Sequence, residues 1–506
     1  MIMRIQIALV FAAAVALSGC SPGISDGSKE ASAGSADFSI FVALGDSLSA
    51  GYRDGALFRD GQVLSFPAIM AQQFEQVGGG SYSQPLMPVG ATGSLTDMGK
   101  LIDGRIDRLV LTGDPLGIDT IAPTQSTAIE MTIPGPYNDM AVPGARFYHL
   151  PVAGYGNPAA LPNASPYFIR SASSTAASML GDTLSQAPTF FVLWIGSNDL
   201  LDYAADGGTG VDRTGDSDPT GYGLKDITDP GYFANGGTGG ALGAPSYAGV
   251  VGALTMSGAK GVIVNIPDIQ TIPYFTAVPY NAIPLEAADA AFLNAQVADN
   301  YNAAVDFVLG INVIDEAEAN RRRITYVEGQ NPIIIRDETL FDLSGSLGPL
   351  AGLGQARPAT ADDFILLPTA SKLGDEDTPG NPLSKWGVTL PLEDGDVLTD
   401  TEAALVAAAQ QAINATIKDV ADASTDLAFY DAAARLKELQ ESGINYGSGR
   451  ISADFPTGGG FSLDGIHPTA RTTAVIANDL FSLINSTFDA FIPGVDPNDY
   501  PTVPIQ

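Results

Sequence analysis

Short apolar runs that end abruptly in polar turns recur along the chain. They lie at residues 38–44, 189–195, 260–266 and 427–430, with a shorter candidate near 137–143. Their length and their β-branched and aromatic residues are typical of strands that are buried on both faces of a sheet. The first run ends in a Gly-Asp-Ser turn and the second in Gly-Ser-Asn-Asp. We therefore expect these runs to be the strands of a central sheet.

Stretches with helical spacing of apolar residues alternate with these runs. They are predicted at 68–77, 286–309, 401–420 and 469–483. Ser65 is the expected N-cap of the first helix, and either Asp400 or Thr401 is the expected cap of the third. A pair of short apolar runs, 324–327 and 333–335, predicts a β-hairpin.

Alternation of strands and helices over the whole length predicts a single α/β domain over residues 38–490, followed by a tail over 491–506. Three stretches rich in Gly, Pro and polar residues interrupt the pattern, at 81–130, 202–246 and 341–395. We expect these stretches to be long loop insertions.

The composition narrows the class of protein. The 506 residues carry a formal net charge of -33, and charged residues make up 16% of the chain. This acidity argues against binding to nucleic acid, whose phosphates require Lys and Arg. It favours solubility in a salty or extracellular environment. The basic triplet 321–323 is expected at the surface or beside a strand.

The N-terminus is predicted to be a targeting segment rather than part of the fold. Residues 5–17 form a nearly continuous apolar run that is too short to span a bilayer as a helix. The run ends in Leu17-Ser18-Gly19-Cys20, which resembles the processing site of bacterial lipoproteins. The resemblance implies a signal peptide over 1–19 and lipidation of Cys20, the only cysteine. Residues 20–37 are expected to be a flexible tether.

A serine near one end of the domain and a histidine near the other are candidates for a nucleophile and its base. Ser47 directly follows the first strand, where the carboxyl ends of parallel strands form a crevice. The chain has two histidines, His149 and His467. Asp464 precedes His467 by three residues, a spacing that brings the carboxylate to one ring nitrogen and leaves the other outward. We predict that His467 deprotonates Ser47 and that Asp464 fixes the imidazole tautomer.

Four sequence blocks, taken in order, resemble those of the SGNH or GDSL hydrolase family. The blocks are Gly45-Asp46-Ser47-Leu48, Gly144, Gly196-Ser197-Asn198-Asp199 and Asp464-Gly465-Ile466-His467-Pro468. The resemblance implies a flavodoxin-like three-layer α/β/α sandwich with a central, mostly parallel sheet. It also implies that Ser47 is the nucleophile. The oxyanion hole would consist of the backbone N–H groups of Ser47 and Gly144 and the side-chain amide of Asn198.

Polar residues beside these blocks are expected to support loops. The family often carries Asn five residues before the glycine of its second block, where this chain has Asp139 next to Asn138. One supporting hydrogen bond is therefore expected to differ. Asp46 and Asp199 are expected to brace their turns, and His149 is expected to have a packing or surface role.

These observations predict an esterase or lipase that cleaves carboxylic esters through an acyl-enzyme, without metal or cofactor. The substrate would be a lipid, a small ester or an acylated glycan. The acidic stretch 212–218 lacks the ligand spacing of a calcium loop. A carbohydrate-ester deacetylase, or a phospholipase or acyltransferase, would use the same triad. A protein of another class, a non-catalytic lipoprotein that binds lipid or glycan, would retain only the fold.

The expected location follows from the N-terminal segment. A lipoprotein signal implies export from the cytoplasm and a lipid anchor in a bacterial membrane. Ser21, directly after the lipidated cysteine, favours the outer membrane.

Overall fold

A parallel sheet occupies the centre of the fold. The computed structural model describes residues 30–98, 100–102, 107–113, 117–121, 126–216, 221–237 and 245–503, which from Ala31 onward form one compact unit. Its strands are β1 (Phe41–Gly45), β2 (Asp139–Ala141), β3 (Phe190–Trp194), β4 (Lys260–Val264) and β5 (Leu427–Tyr430). The spatial order is β5-β4-β3-β1-β2, the order of flavodoxin-like sheets, and all neighbours are parallel. The expected central sheet is therefore confirmed.

Several predictions concern residues outside these described ranges. They are the signal peptide over 1–19, the lipidation of Cys20 and most of the tether, together with parts of the insertions 81–130 and 202–246.

Helices follow or precede each strand of the sheet. In chain order α1 to α16 are Ser47–Ala50, Arg59–Val63, Phe66–Glu75, Pro166–Ser171, Met179–Leu184, Asn198–Ala204, Pro230–Asn235, Tyr247–Thr255, Pro273–Thr276, Ala287–Leu293, Asp299–Gly310, Glu316–Arg322, Ser344–Leu347, Asp400–Asp422, Ala432–Ser442 and Ala470–Phe488. A π-helical turn, Asn294–Ala298, joins α10 to α11, so the predicted helix 286–309 is one irregular helical segment. Among the described helices, none combines the length and apolar character that crossing a membrane requires.

The two faces of the sheet bury alternate residues of each strand. In β1, Val42 and Leu44 contribute to a core that α14 covers, whereas Phe41 and Ala43 contribute to the core on the opposite face, under α3 and α16. Ser65 caps α3 as expected, accepting a hydrogen bond from the backbone N–H group of Ala68. The arrangement is a three-layer α/β/α sandwich.

The segment between β4 and α14 has a hydrophobic core of its own, formed by buried residues from Ile283 to Val397. Its short strands pair at long range: Ile283–Leu285 with Gly329–Asn331, and Ile334–Arg336 with Ala356–Pro358. The predicted hairpin of 324–327 and 333–335 is therefore wrong. Each run instead packs into this second core, and the strand pairs form between more distant residues.

Short strands outside the central sheet lie within the connecting segments. The remaining ones are Leu95–Asp97, Lys100–Leu101, Leu109–Thr112, Gly117–Thr120, Thr127–Ala128, Phe364–Ile365, Val397–Leu398, Ile444–Tyr446 and Gly449–Ile451. The described part of the insertion 202–246 adds buried aromatic residues to the main core.

The basic triplet at the end of α12 is less exposed than predicted. Arg322 is completely buried, and its guanidinium group pairs with Glu318 at 2.7 Å. Arg321 pairs with Asp400 in the first turn of α14, and Arg323 pairs with Asp306 at 2.7 Å. The surface position expected for the triplet is therefore wrong for Arg322, because a carboxylate one helical turn earlier compensates its charge. The alternative expectation, a position beside a strand, fits α12, which packs against Ala356–Pro358.

A buried ion-pair network joins the second core to the start of α14. Arg357 is fully buried and forms two hydrogen bonds of 2.7 Å with Asp363 and one of 2.6 Å with Asp337.

The N-cap of α14 is Thr399, which forms a capping box with Glu402, so the predicted caps Asp400 and Thr401 are wrong by one and two residues.

The compact unit begins earlier than residue 38. Residues 31–37, assigned to the tether by the sequence, pack against the end of α16, and Ser32 exchanges two backbone hydrogen bonds with Phe491. Gly34 has φ +60°, and a Cβ atom there would lie 2.2 Å from the carbonyl oxygen of Phe488. Only glycine fits this close approach, so this part of the predicted tether is structured.

Candidate active site

The carboxyl ends of β1, β2 and β3 lie side by side and lead into three turns. β1 pairs with β3 up to Gly45 opposite Trp194, and with β2 up to Gly45 opposite Ala141. A Cβ atom at Gly45 would lie 2.4 Å from the carbonyl oxygen of Trp194, so the close approach of these strands requires glycine. The turns that carry Ser47, Gly144 and Asn198 therefore begin at one edge of the sheet.

Ser47 is the first residue of the short helix α1. Asp46 is the N-cap, and its Oδ1 accepts a hydrogen bond of 3.0 Å from the backbone N–H group of Leu48. Gly51 ends the helix with φ +78°. This sharp turn from strand to helix presents the Ser47 side chain at the end of the strand.

The three residues of the predicted triad are in hydrogen-bond contact. Nε2 of His467 lies 2.8 Å from Oγ of Ser47, and Nδ1 of His467 lies 2.9 Å from Oδ2 of Asp464. Ser47 and His467 are 8% and 7% exposed, so the contact is largely shielded from water. The Tyr52 ring packs beside the imidazole, with 4.8 Å between ring centroids. The geometry is that of a nucleophile, a base and an orienting carboxylate.

Asp464 is held by several donors besides His467. Its Oδ1 accepts backbone N–H groups of Ile466 at 2.9 Å and His467 at 2.8 Å, and the Ser462 hydroxyl at 3.1 Å. Its Oδ2 accepts the backbone N–H group of Gly55 at 2.9 Å. Burial by itself would raise the pKa of Asp464. The charge of His467, its hydrogen bonds and the hydrogen bond from Gly55 have a larger effect in the opposite direction, and together they lower this pKa to about 2. The carboxylate is therefore charged at neutral pH.

The candidate oxyanion donors are at the turns that begin at the same sheet edge. Asn198 begins α6, and its Nδ2 donates one hydrogen bond of 3.0 Å to the carbonyl oxygen of Ala145, leaving its second N–H available. Gly144 is half-buried and has φ +77°. The backbone N–H groups of Ser47 and Gly144 donate to no acceptor within the described parts of the chain. Within the described parts of the chain, all three predicted donors thus have an N–H group with no acceptor.

Asn138 and Asp139, six and five residues before Gly144, both form hydrogen bonds. Asn138 donates from Nδ2 to the carbonyl oxygen of Phe41 at 2.9 Å. Asp139 is buried, accepts from the Gln84 side chain and the Ala141 backbone, and has its pKa raised to about 6 by burial. Both side chains therefore brace the start of β2.

The polar residues expected to have supporting roles are buried. Burial raises the pKa values of Asp46 and Asp199 to about 7. Oδ2 of Asp199 accepts the Phe147 backbone N–H group at 2.8 Å, so this residue braces the turn after Gly144. His149 is buried, its Nδ1 accepts the Arg146 N–H group at 3.0 Å, and burial lowers its pKa to about 3. These contacts fit the predicted bracing and packing roles.

The sequence did not indicate the residues that support Asp464 from a distant turn. Asp54 and Gly55 contact the loop around Ser462 and Asp464 across more than four hundred residues of sequence. Ser462 lies two residues before Asp464, and this proximity was the one available signal. The contacts of Asp54 follow from tertiary structure alone.

A cavity and an acidic cluster are two further candidate features of the described residues. An apolar cavity of about 90 Å³ is lined in part by Leu48, Ile466 and Pro468, neighbours of the triad residues, but neither Ser47 nor His467 lines it. Carboxylate oxygens of Glu338, Asp394 and Glu402 lie within 4.8 Å of one another and are the candidate metal ligands among the described residues. Burial, and after it the repulsion from neighbouring carboxylates, raises the pKa of Asp394 to about 6 and that of Glu402 to about 7.

Comparison with known proteins adds no relative: no protein-family model, curated protein or solved structure matches the chain. Functional inference therefore depends on the geometry of the site.

Proposed function

We propose that this protein is a serine hydrolase that cleaves carboxylic esters through an acyl-enzyme. The observation that carries the proposal is the continuous contact from Ser47 Oγ to His467 Nε2 at 2.8 Å and from His467 Nδ1 to Asp464 at 2.9 Å. A buried hydroxyl has little nucleophilicity unless a base accepts its proton, and this arrangement supplies one.

In the acylation step, Ser47 Oγ attacks the ester carbonyl carbon while its proton passes to Nε2 of His467. The ionised Asp464 accepts a hydrogen bond from Nδ1–H of His467, so the Nε2 lone pair faces Ser47. Its negative charge also stabilises the imidazolium that forms. Negative charge develops on the carbonyl oxygen, and the N–H groups of Ser47, Gly144 and Asn198 would stabilise it. The intermediate collapses when the alcohol oxygen leaves with the proton from Nε2.

In the deacylation step, a water molecule replaces the alcohol. His467 accepts a proton from this water, whose oxygen attacks the acyl carbonyl carbon. Collapse of the second intermediate returns the proton to Ser47 Oγ and releases the carboxylic acid. Each step uses the same imidazole and the same oxyanion donors.

The proposal also includes the family and the location. We infer that the chain is an SGNH or GDSL hydrolase, because the four blocks supply the triad contact and the free oxyanion donors. We infer a lipid anchor on Cys20 from the sequence before it. Full-length Cys20→Ser protein, expressed in a bacterium, is expected to leave the membrane fraction. If this variant stays in the membrane fraction, the anchor on Cys20 is ruled out.

The main experiment compares Ser47→Ala with wild type on nitrophenyl esters of graded acyl length. We expect kcat to fall at least about 10³-fold, and labelling by a fluorophosphonate probe to disappear. Ser49→Ala is the matched control, because Ser49 lies in the same helix, is fully buried and has no hydrogen-bond partner for its hydroxyl among the described residues. Equal rates for Ser47→Ala and wild type would exclude the serine mechanism, and a wild type inactive on every ester would refute the proposed function.

A further inference from the structure

A tight turn seven residues after Ser47 contacts the loop that carries Asp464. Asp54 has φ +52° and Gly55 has φ +76°, and Arg53 and Ala56 close the turn with two backbone hydrogen bonds of 3.2 and 3.1 Å. A non-glycine residue in the left-handed region persists where surrounding contacts fix it. Here the carbonyl oxygen of Asp54 accepts the N–H group of Leu109 at 2.8 Å.

This turn reaches both oxygens of the Asp464 carboxylate. Gly55 donates its backbone N–H group directly to Oδ2, the oxygen that also accepts His467 Nδ1–H. Asp54 donates its backbone N–H group to Oγ of Ser462 at 2.9 Å, and that hydroxyl donates to Oδ1 of Asp464 at 3.1 Å. Rotation of the carboxylate would break contacts with the turn on both sides.

The Asp54 side chain holds the same loop by a separate contact. Its Oδ1 accepts the backbone N–H group of Leu463 at 3.1 Å, and the residue is 3% exposed. Two acidic side chains, Asp54 and Asp464, are thus buried close enough to repel each other, and the charges of Arg53 and Arg108 oppose this effect at Asp54. Burying a second carboxylate next to the first is unfavourable. We therefore expect the contact between Asp54 and the loop to have a specific role.

We propose that Asp54 and Gly55 are positioning residues that fix the orientation of Asp464 and thereby keep the proton of His467 on Nδ1. The turn follows Ser47 in sequence and forms hydrogen bonds with the loop that carries Asp464 and His467. It therefore helps to fix the position of Ser47 relative to His467. The expected effect on kcat rests on the proposed function, whereas the expected effect on the His467 tautomer does not.

The kinetic test uses two substitutions at Asp54. Asp54→Gly removes the carboxylate without added strain, because glycine accommodates φ +52°. Asp54→Asn keeps an acceptor for the Leu463 N–H group. We expect Asp54→Gly to lower kcat about 10- to 100-fold with KM for a short ester unchanged, and Asp54→Asn to stay within about threefold of wild type. Asp60→Asn, at an exposed aspartate six residues later, is the control with wild-type activity.

The structural test reads the tautomer of His467 directly by NMR of isotope-labelled histidine. The chain has two histidines, and in His149 the Nδ1 atom accepts a hydrogen bond, so its proton is on Nε2. His467 is expected to carry its proton on Nδ1 in wild type and in Asp54→Asn, and to become a mixture of tautomers in Asp54→Gly. The His149 signal should be unchanged in all three and serves as the internal reference.

The outcomes separate positioning from general structural support. Loss of kcat together with a mixed tautomer in Asp54→Gly, both restored by Asp54→Asn, supports the proposal. Unchanged tautomers overturn it, whatever the rate or the melting temperature does. If wild type cleaves no ester, the proposed function fails, yet the tautomer comparison still decides whether Asp54 positions Asp464.

Discussion

Replacing Asp464 with asparagine tests the carboxylate at nearly constant size. In the structure, Oδ1 accepts three hydrogen bonds, from the backbone of Ile466 and His467 and from the Ser462 hydroxyl. Oδ2 accepts two, from the His467 ring and the Gly55 backbone. The amide of Asp464→Asn has one oxygen for these two positions, and the position with three donors is the more favourable one for it.

The amide nitrogen then faces His467 Nδ1 and the Gly55 N–H group. Because an amide N–H group donates, the imidazole must offer the Nδ1 lone pair and carry its proton on Nε2. Nε2 can then no longer accept the proton of Ser47. Loss of the correct tautomer lowers kcat by about 10⁴, which corresponds to about 5 kcal/mol in activation free energy.

The assay is steady-state hydrolysis of a nitrophenyl ester by Asp464→Asn and by Asp454→Asn, a control at an exposed aspartate ten residues earlier. Circular dichroism and the melting temperature establish that both variants are folded. A kcat for Asp464→Asn within tenfold of wild type would refute the tautomer argument, because the substitution leaves no carboxylate to orient the ring.

Three further predictions address the oxyanion hole, a buried ion pair and the pH dependence of stability. Asn198→Ala is expected to lower kcat about 10²- to 10³-fold with KM little changed, since it removes one donor to the oxyanion, and steady-state kinetics checks this. Arg357→Met is expected to lower the free energy of unfolding by about 3–5 kcal/mol in urea titrations, because Asp363 would lose its one ion-pair partner among the described residues and Asp337 would keep only Arg321; an unchanged midpoint would contradict it. Burial raises the pKa of Asp46 to about 7 in the folded state, so between about pH 4 and pH 7 the folded protein binds more protons than the unfolded chain. The melting temperature should therefore rise as the pH falls from 8 to 5, and Asp46→Asn should weaken this slope.

The sheet was predictable because its strands are buried on both faces and therefore appear as continuous apolar runs. The strand pairs of the second core were not predictable, because the two strands of a pair lie far apart in sequence, as Ile283–Leu285 and Gly329–Asn331 do. The N-cap at Thr399 was encoded locally, since Glu402 follows it by three residues and completes a capping box. The predicted caps, Asp400 and Thr401, lie one and two positions beyond it.

The contact between Ser47, His467 and Asp464 was predictable because few residue types supply a nucleophile and a base, and this chain has only two histidines. Their supports were not. Asp54 and the Asp464 loop lie more than four hundred residues apart in sequence, and a left-handed aspartate has no distinctive local pattern. Arg322 was misjudged because neighbouring positive charges suggest a solvated surface, whereas Glu318 compensates its charge inside the fold.

The partners in the hydrogen bond between Ser47 and His467 are separated by 420 residues of chain. Every strand of the central sheet except β1 is synthesised between them, so a growing chain contains the hydroxyl long before the imidazole that is proposed to activate it. No truncated or nascent product that ends before residue 464 would cleave an ester. Hydrolytic turnover would thus report that the polypeptide is complete and correctly folded, and newly made chains would remain inert toward the esters of the cell that produces them.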